Sequence, residues 1–145
     1  MSEAGQNFKN HARFHPPFHY VVAPIFVFHF VWTARGMWRQ PSWNSAEALL
    51  VAIGLLALAV VSRTSALKAQ DRTIRLEERL RYAAVLPPDL AARASELPVG
   101  KIVALRFASD GELAGLVGQV LSGQLKSGKE IKKSIKNWRA DTCRV

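Results

Sequence analysis

Two apolar stretches, residues 18–34 and 48–62, contain no charged side chain, and only residues 35–47 separate them. A bilayer core about 30 Å thick is crossed by roughly 17–25 helical residues. The first stretch reaches that length alone. The second reaches it when Glu47 and Arg63 snorkel toward the two interfaces. The pattern predicts a transmembrane helical hairpin. Its parts are an N-terminal segment over 1–16, a first span over 17–38, an external loop over 39–45 and a second span over 46–63. Pro17 suits a helix start, where its missing N–H has no ladder partner to lose. Pro24 lies inside the first span and should kink it. Tyr20, Trp32, Trp38 and Trp43 cluster toward the span ends, as interfacial aromatics do. The run Pro41-Ser42-Trp43-Asn44-Ser45 reads as a turn followed by an N-cap at Asn44 or Ser45.

The second helix is expected to continue past the apolar stretch. From Ser45 to about Ala84 there is no proline and a single glycine, Gly54. Residues 64–85 are therefore expected to project into the cytoplasm as a stalk. Asp71/Arg75 and Glu77/Arg81 have the spacing of helix-supporting pairs. Leu86-Pro87-Pro88-Asp89 ends the helix. Along it, Ser45, Ala48, Ala52, Leu55, Ala59, Ser62, Ala66, Ala69, Thr73, Leu76, Leu80 and Ala83 alternate in steps of three and four. Nine of these twelve are Ser, Ala or Thr, so the seam would let another helix approach closely. Enlarging Ala52 and Ala59 to leucine is expected to disturb assembly.

Residues 86–145 read as a small helical module. Residues 99–107 are apolar. Ser109-Asp110-Gly111-Glu112 and Ser127-Gly128-Lys129-Glu130 have the form of capping boxes. The helix after the first would bury Leu113, Leu116, Val117, Val120 and Leu121. The helix after the second would turn Ile131, Ile135 and Trp138 inward and Lys132, Lys133, Lys136 and Arg139 outward. A module this small is marginal alone and should lean on the stalk, the membrane or another subunit. The fold class expected is all-α.

Charge sets the orientation. Residues 1–62 carry a formal +2 and residues 63–145 a formal +7 of the overall +9. Arg63, Lys68, Arg72, Arg75 and Arg79 follow the second span closely, as cytoplasmic Lys and Arg do. Both termini are thus expected in the cytoplasm, and these five side chains are expected to meet lipid headgroups. A basic tail also suits nucleic acid, but membrane lipid is the simpler partner. Cys143 is the single cysteine, which excludes an intrachain disulfide, and it is placed wrongly for prenylation. No small-x-small cleavage site follows the first span, which argues against a secretory signal.

Candidate chemistry is sparse. His11, His15 and His19 recur every four residues, but Pro16 and Pro17 interrupt their shared face, and no Cys or carboxylate completes a metal site. His29 lies mid-span among Phe26, Phe28, Phe30 and Trp32. It would hydrogen-bond to the second helix or, as the alternative, ligate haem or chlorophyll. No phosphate loop, nucleophile elbow or paired-histidine motif occurs, so no enzyme is expected. Arg106 and Asp110 could pair. The basic last helix resembles a recognition helix in outline, but its lysines suit phosphate more than base edges.

Three segments resemble a family of uncharacterised bacterial two-helix membrane proteins. They are Asn7-Phe8-Lys9-Asn10-His11-Ala12-Arg13; Ala66-Leu67-Lys68-Ala69-Gln70-Asp71-Arg72 with Ile74, Arg75, Glu77, Glu78 and Leu80; and Leu105-Arg106-Phe107-Ala108-Ser109-Asp110 with the Ile131-Lys132-Lys133-Ser134-Ile135-Lys136-Asn137-Trp138-Arg139-Ala140-Asp141 ending, through Arg144-Val145. The resemblance implies two membrane helices and a cytoplasmic tail, and supplies no activity. The resulting expectation is a non-enzymatic accessory subunit of the bacterial inner membrane, without a cofactor. It would dock another membrane subunit or a second copy, with a respiratory or photosynthetic complex as its setting. The alternatives are a His29 cofactor subunit and a membrane-tethered nucleic-acid-binding regulator.

Overall fold

The computed structural model describes residues 7, 8 and 15–141. Among them the regular structure is helical: a wide turn Pro17–Val22 leading into α1 (Ala23–Arg39), then α2 (Trp43–Val85), α3 (Pro88–Ser95), α4 (Val99–Leu105), α5 (Asp110–Leu121) and α6 (Gly128–Ser134). Cys143 and His11 lie outside the described residues. The described residues divide into two compact units, one built on residues 15–67 and the other on residues 68–141 with residues 7 and 8.

In the first unit, α1 and the start of α2 run antiparallel. Near the connection the Ser45 hydroxyl donates to Met37 Sδ at 3.2 Å. At the far end the Arg63 guanidinium lies 5.8 Å from the Phe18 ring centre. Among the described residues of this unit, Thr33 on α1 and Ala52 on α2 are the buried ones. Thr33 makes no demand on its neighbours, because its hydroxyl donates to the carbonyls of His29 and Phe30. Pro24 acts one turn earlier than a simple kink would place it. The helix before it widens, and the Ala23 amide donates to Phe18, five residues back. A wider turn relieves the clash between the proline ring and the carbonyl four residues before it.

The start of α2 corrects the expected N-cap. The helix begins at Trp43, and Ser42 caps it. The Ser45 amide donates to Ser42 Oγ at 3.1 Å, while the Ser42 amide donates to Ser45 Oγ at 2.8 Å. This reciprocal pair works as a capping box does, with serine replacing the usual Glu. From there α2 is unbroken for 43 residues, about 65 Å of helix.

In the second unit, α3–α6 fold against the last turns of α2. Tyr82 and Leu86 join Ala94, Ile102, Leu105, Phe107, Leu113, Val117 and Ile131 in one buried cluster. The expected inward positions of α5 are buried, with Leu121 partly so. The helices α4 and α6 pack closely because Gly128 presents no side chain: a Cβ there would stand 3.2 Å from the Gly100 carbonyl. Ile131 and Ile135 are buried and Trp138 partly so. However, α6 stops at Ser134, shorter than the pattern suggests. Ile135 turns extended, and residues 107–109 pair with residues 137–139 through a single antiparallel bridge. The Ser109 amide donates to Asn137 O at 3.0 Å and the Arg139 amide to Phe107 O at 2.7 Å.

Candidate functional site

The densest polar arrangement lies where α2 meets the module. Ile74, Glu78 and Tyr82 recur every four residues on one face of α2 and are all buried. Glu78 Oε2 accepts from Arg81 Nη1 and Glu78 Oε1 from Arg139 Nη1, both at 3.1 Å. Arg81 also donates Nε to Asp110 Oδ1 and Nη2 to the Ala108 carbonyl, each at 2.7 Å. One planar guanidinium thus joins α2, the bridge and the start of α5, a task for which its fixed fork of donors is suited. Burial pushes the Glu78 carboxyl above the ordinary 4.5, against the opposing pull of Arg81 and then Arg139. Burial, reinforced by Glu78, likewise pushes the Tyr82 phenol upward. Its hydroxyl has no hydrogen-bond partner among the described residues.

Three expected pairings are not made. Arg81 pairs with Glu78 and Asp110, not with Glu77. Arg106 pairs with Asp141 at 3.1 Å, not with Asp110, and its guanidinium stacks 4.6 Å from the Phe107 ring centre. Asp71 and Arg75 form no ion pair among the described residues, and Arg75 Nε is buried there without a partner.

The two expected capping boxes differ in outcome. Ser127 Oγ accepts from the Glu130 amide at 3.2 Å, and the Glu130 carboxylate accepts from the Lys126 amide at 2.8 Å. The hydrogen bond from the Lys126 amide, and then hydrogen bonding from Ser127, hold the Glu130 carboxyl below its ordinary value. Ser109 stands at the N-cap of α5 but its side chain makes no cap. Glu112 is drawn away instead, accepting from the amides of Lys136 and Asn137 at 3.1 Å each. That carboxylate thereby ends α6 and orients the bridge. It also lines a groove of about 570 Å³ between Gly111, Gly115, Gln119, Lys133, Ser134 and Lys136. With both oxygens engaged, its role there is structural.

The twelve seam positions fall into two sets. Ala52 is fully buried, and Ser45, Ala48, Leu55 and Ala59 are half-buried. These face inward within the first unit, so Ala52 packs inside the hairpin. Ser62, Ala66, Ala69, Thr73, Leu76, Leu80 and Ala83 are exposed. Among the five basic residues, Lys68 and Arg72 are exposed, Arg63 lies against Phe18, and Arg79 donates Nε and Nη2 to the Ser95 carbonyl at the end of α3. A cation there complements the α3 dipole.

His29 is half-buried, and its ring has no hydrogen-bond partner among the described residues, so the expected bond to α2 is not made. The His19 ring meets the His15 carbonyl at 3.0 Å, and His15 Nδ1 accepts from the Phe18 amide at 3.4 Å. These two histidines thus serve the helix start. Among the described residues no three His, Cys, Asp or Glu side chains gather as metal ligands.

Glu78, Arg139 and Asp110 were not singled out by sequence reasoning as site residues. The available signal was the four-residue spacing of Ile74, Glu78 and Tyr82, a second stripe roughly opposite the small-residue seam. No curated protein and no solved structure matches the chain. A family model does match, over residues 1–145, and so the chain belongs to a family of unknown function, DUF6526.

Proposed function

We propose that this chain is a non-enzymatic integral membrane protein of the bacterial inner membrane, an accessory subunit that docks other membrane proteins. In this reading the hairpin spans the bilayer and both termini are cytoplasmic. One observation supports it most. The two long helices turn their apolar side chains outward: Ile25, Phe28, Val31, Leu50, Leu58 and Val60 are all more than half exposed. Continuous exposed apolar surface of this kind suits lipid, where nothing opposes it, and is disfavoured in water. Trp38 and Trp43, the most exposed large hydrophobic residues at 90% and 91%, flank the connection, where an interfacial belt would place them. The basic side chains of α6 and its continuation, Lys129, Lys133 and Lys136, are exposed and suit anionic headgroups.

Washing membranes with alkaline carbonate tests the placement. The chain is expected to stay in the pellet and to leave it only with detergent. Recovery in the aqueous wash overturns the reading. Purification in mild detergent, followed by identification of co-purifying chains, tests the docking role.

A further inference from the structure

We propose that two copies of this chain associate in parallel along α2, through the exposed stripe Ala69, Thr73, Leu76, Leu80 and Ala83. The inference deepens the docking role above and rests on that reading for the shared membrane orientation of the two copies. Leu76 and Leu80 are 62% and 76% exposed, although the same helix buries Ile74, Glu78 and Tyr82 on its other side. Two leucines left open on a helix whose other face is fully packed mark an unfilled contact. Their stripe has the alternating three-four spacing that a left-handed helix pair buries.

The flanking charges identify the occupant. With Thr73 and Leu80 as one set of seam positions and Ala69, Leu76 and Ala83 as the other, Arg72 and Glu77 fall on the two shoulders of the seam, five residues apart. In a parallel pair of identical helices that spacing sets Arg72 of one copy beside Glu77 of the other, and symmetry makes the contact twice. An antiparallel pair would set arginine against arginine and Glu77 against Glu77. Both side chains are exposed, and neither forms an ion pair among the described residues. Arg79, on the same shoulder, is already held by Ser95. The alanine and threonine positions bring the backbones close. Confinement to one membrane supplies the effective concentration that a seam with only two leucines needs.

The test uses the full chain carrying Cys143→Ser, in vesicles of phosphatidylethanolamine and phosphatidylglycerol. Under mild oxidation, Leu76→Cys and Leu80→Cys are expected to give a disulfide-linked species of twice the chain mass. Lys68→Cys, exposed but off the stripe, is expected to give none. In uncrosslinked material, Arg72→Glu and Glu77→Arg are each expected to lower the dimer fraction several-fold, and the two together to restore it. Absence of the doubled mass at 76 and 80, equal crosslinking at 68, or no rescue by the combined charge swap overturns the proposal. A crosslink at 76 or 80 to a chain of different mass also overturns it, while leaving the docking role standing. Recovery of the chain in the aqueous fraction removes that role and this inference together.

Discussion

Arg139 Nη1 lies 3.1 Å from Glu78 Oε1, joining two residues 61 positions apart in the chain. The contact fastens the segment after α6 to the face of α2, and it places a carboxylate where little water reaches it. Several expected properties of the module follow from that placement.

The first concerns pH. The folded protein holds the Glu78 proton more tightly than the unfolded chain does, because burial raises its pKa above 4.5. The native state is therefore favoured below that value, and this contribution is lost as pH rises through the raised one. Glu130 has the opposite sign. Its lowered pKa contributes stability above the ordinary carboxylate value, lost as pH falls through the lowered one. Glu78→Gln should abolish the first effect alone. Urea unfolding in micelles, compared between variant and wild type from pH 4.5 upward, should show a wild-type advantage that shrinks with rising pH. A constant difference would contradict the assignment.

Removing the carboxylate altogether is more severe. Glu78→Ala leaves Arg81, whose side chain is 9% exposed, with one anionic partner fewer. Breaking a buried pair from one side costs about 3 kcal/mol. Hydrogen exchange should accelerate across α3–α6, and an unchanged pattern would show the network to be dispensable.

The core can be probed at Ile131, which is fully buried between α4 and its neighbours. Ile131→Ala should cost about 3 kcal/mol through lost transfer free energy and a residual cavity. Leu76→Ala, on the exposed side of α2, serves as the contrast. In monomeric, dilute micelles it should change stability by less than about 0.5 kcal/mol.

Gly123 follows α5 with φ of +79°, the left-handed conformation that favours glycine at a helix end. Open space surrounds the position where a Cβ would stand, so any penalty is conformational rather than steric. Gly123→Ala should destabilise by about 1 kcal/mol. A neutral result in thermal unfolding would argue that the turn relaxes.

Ala52 reports on the hairpin. With no exposure, its replacement by leucine should separate α1 from the start of α2 and cost about 2 kcal/mol by overpacking. Detergent-exchange unfolding should detect this. Leu50→Ala, on the outward face, should not.

The apolar stretches announce α1 and α2 because a long charge-free run has few other solutions. The inward residues Leu113, Leu116, Val117, Val120 and Ile131 were legible for a related reason: helical periodicity survives folding. What escaped the sequence were choices among near neighbours. Ser42 and Asn44 are both good caps, and only the path of the connection decides between them. Glu77 and Glu78 are adjacent, and either could meet Arg81 until the module fixes which face of α2 is covered. Glu112 fits a local capping box equally well, yet amides more than twenty residues away claim it. Local rules rank such options, and distant parts of the chain select among them.

The buried cluster that includes Tyr82 and Leu86 has a practical consequence for dissecting this protein. Pro87 and Pro88 look like a natural cut point, and a recombinant fragment would ordinarily begin there. Such a fragment would lack the ring of Tyr82, the carboxylate of Glu78 and the guanidinium of Arg81, and so would expose the interior it was meant to isolate. The compact unit that holds this cluster begins inside the long helix, at Lys68, and not at the two prolines.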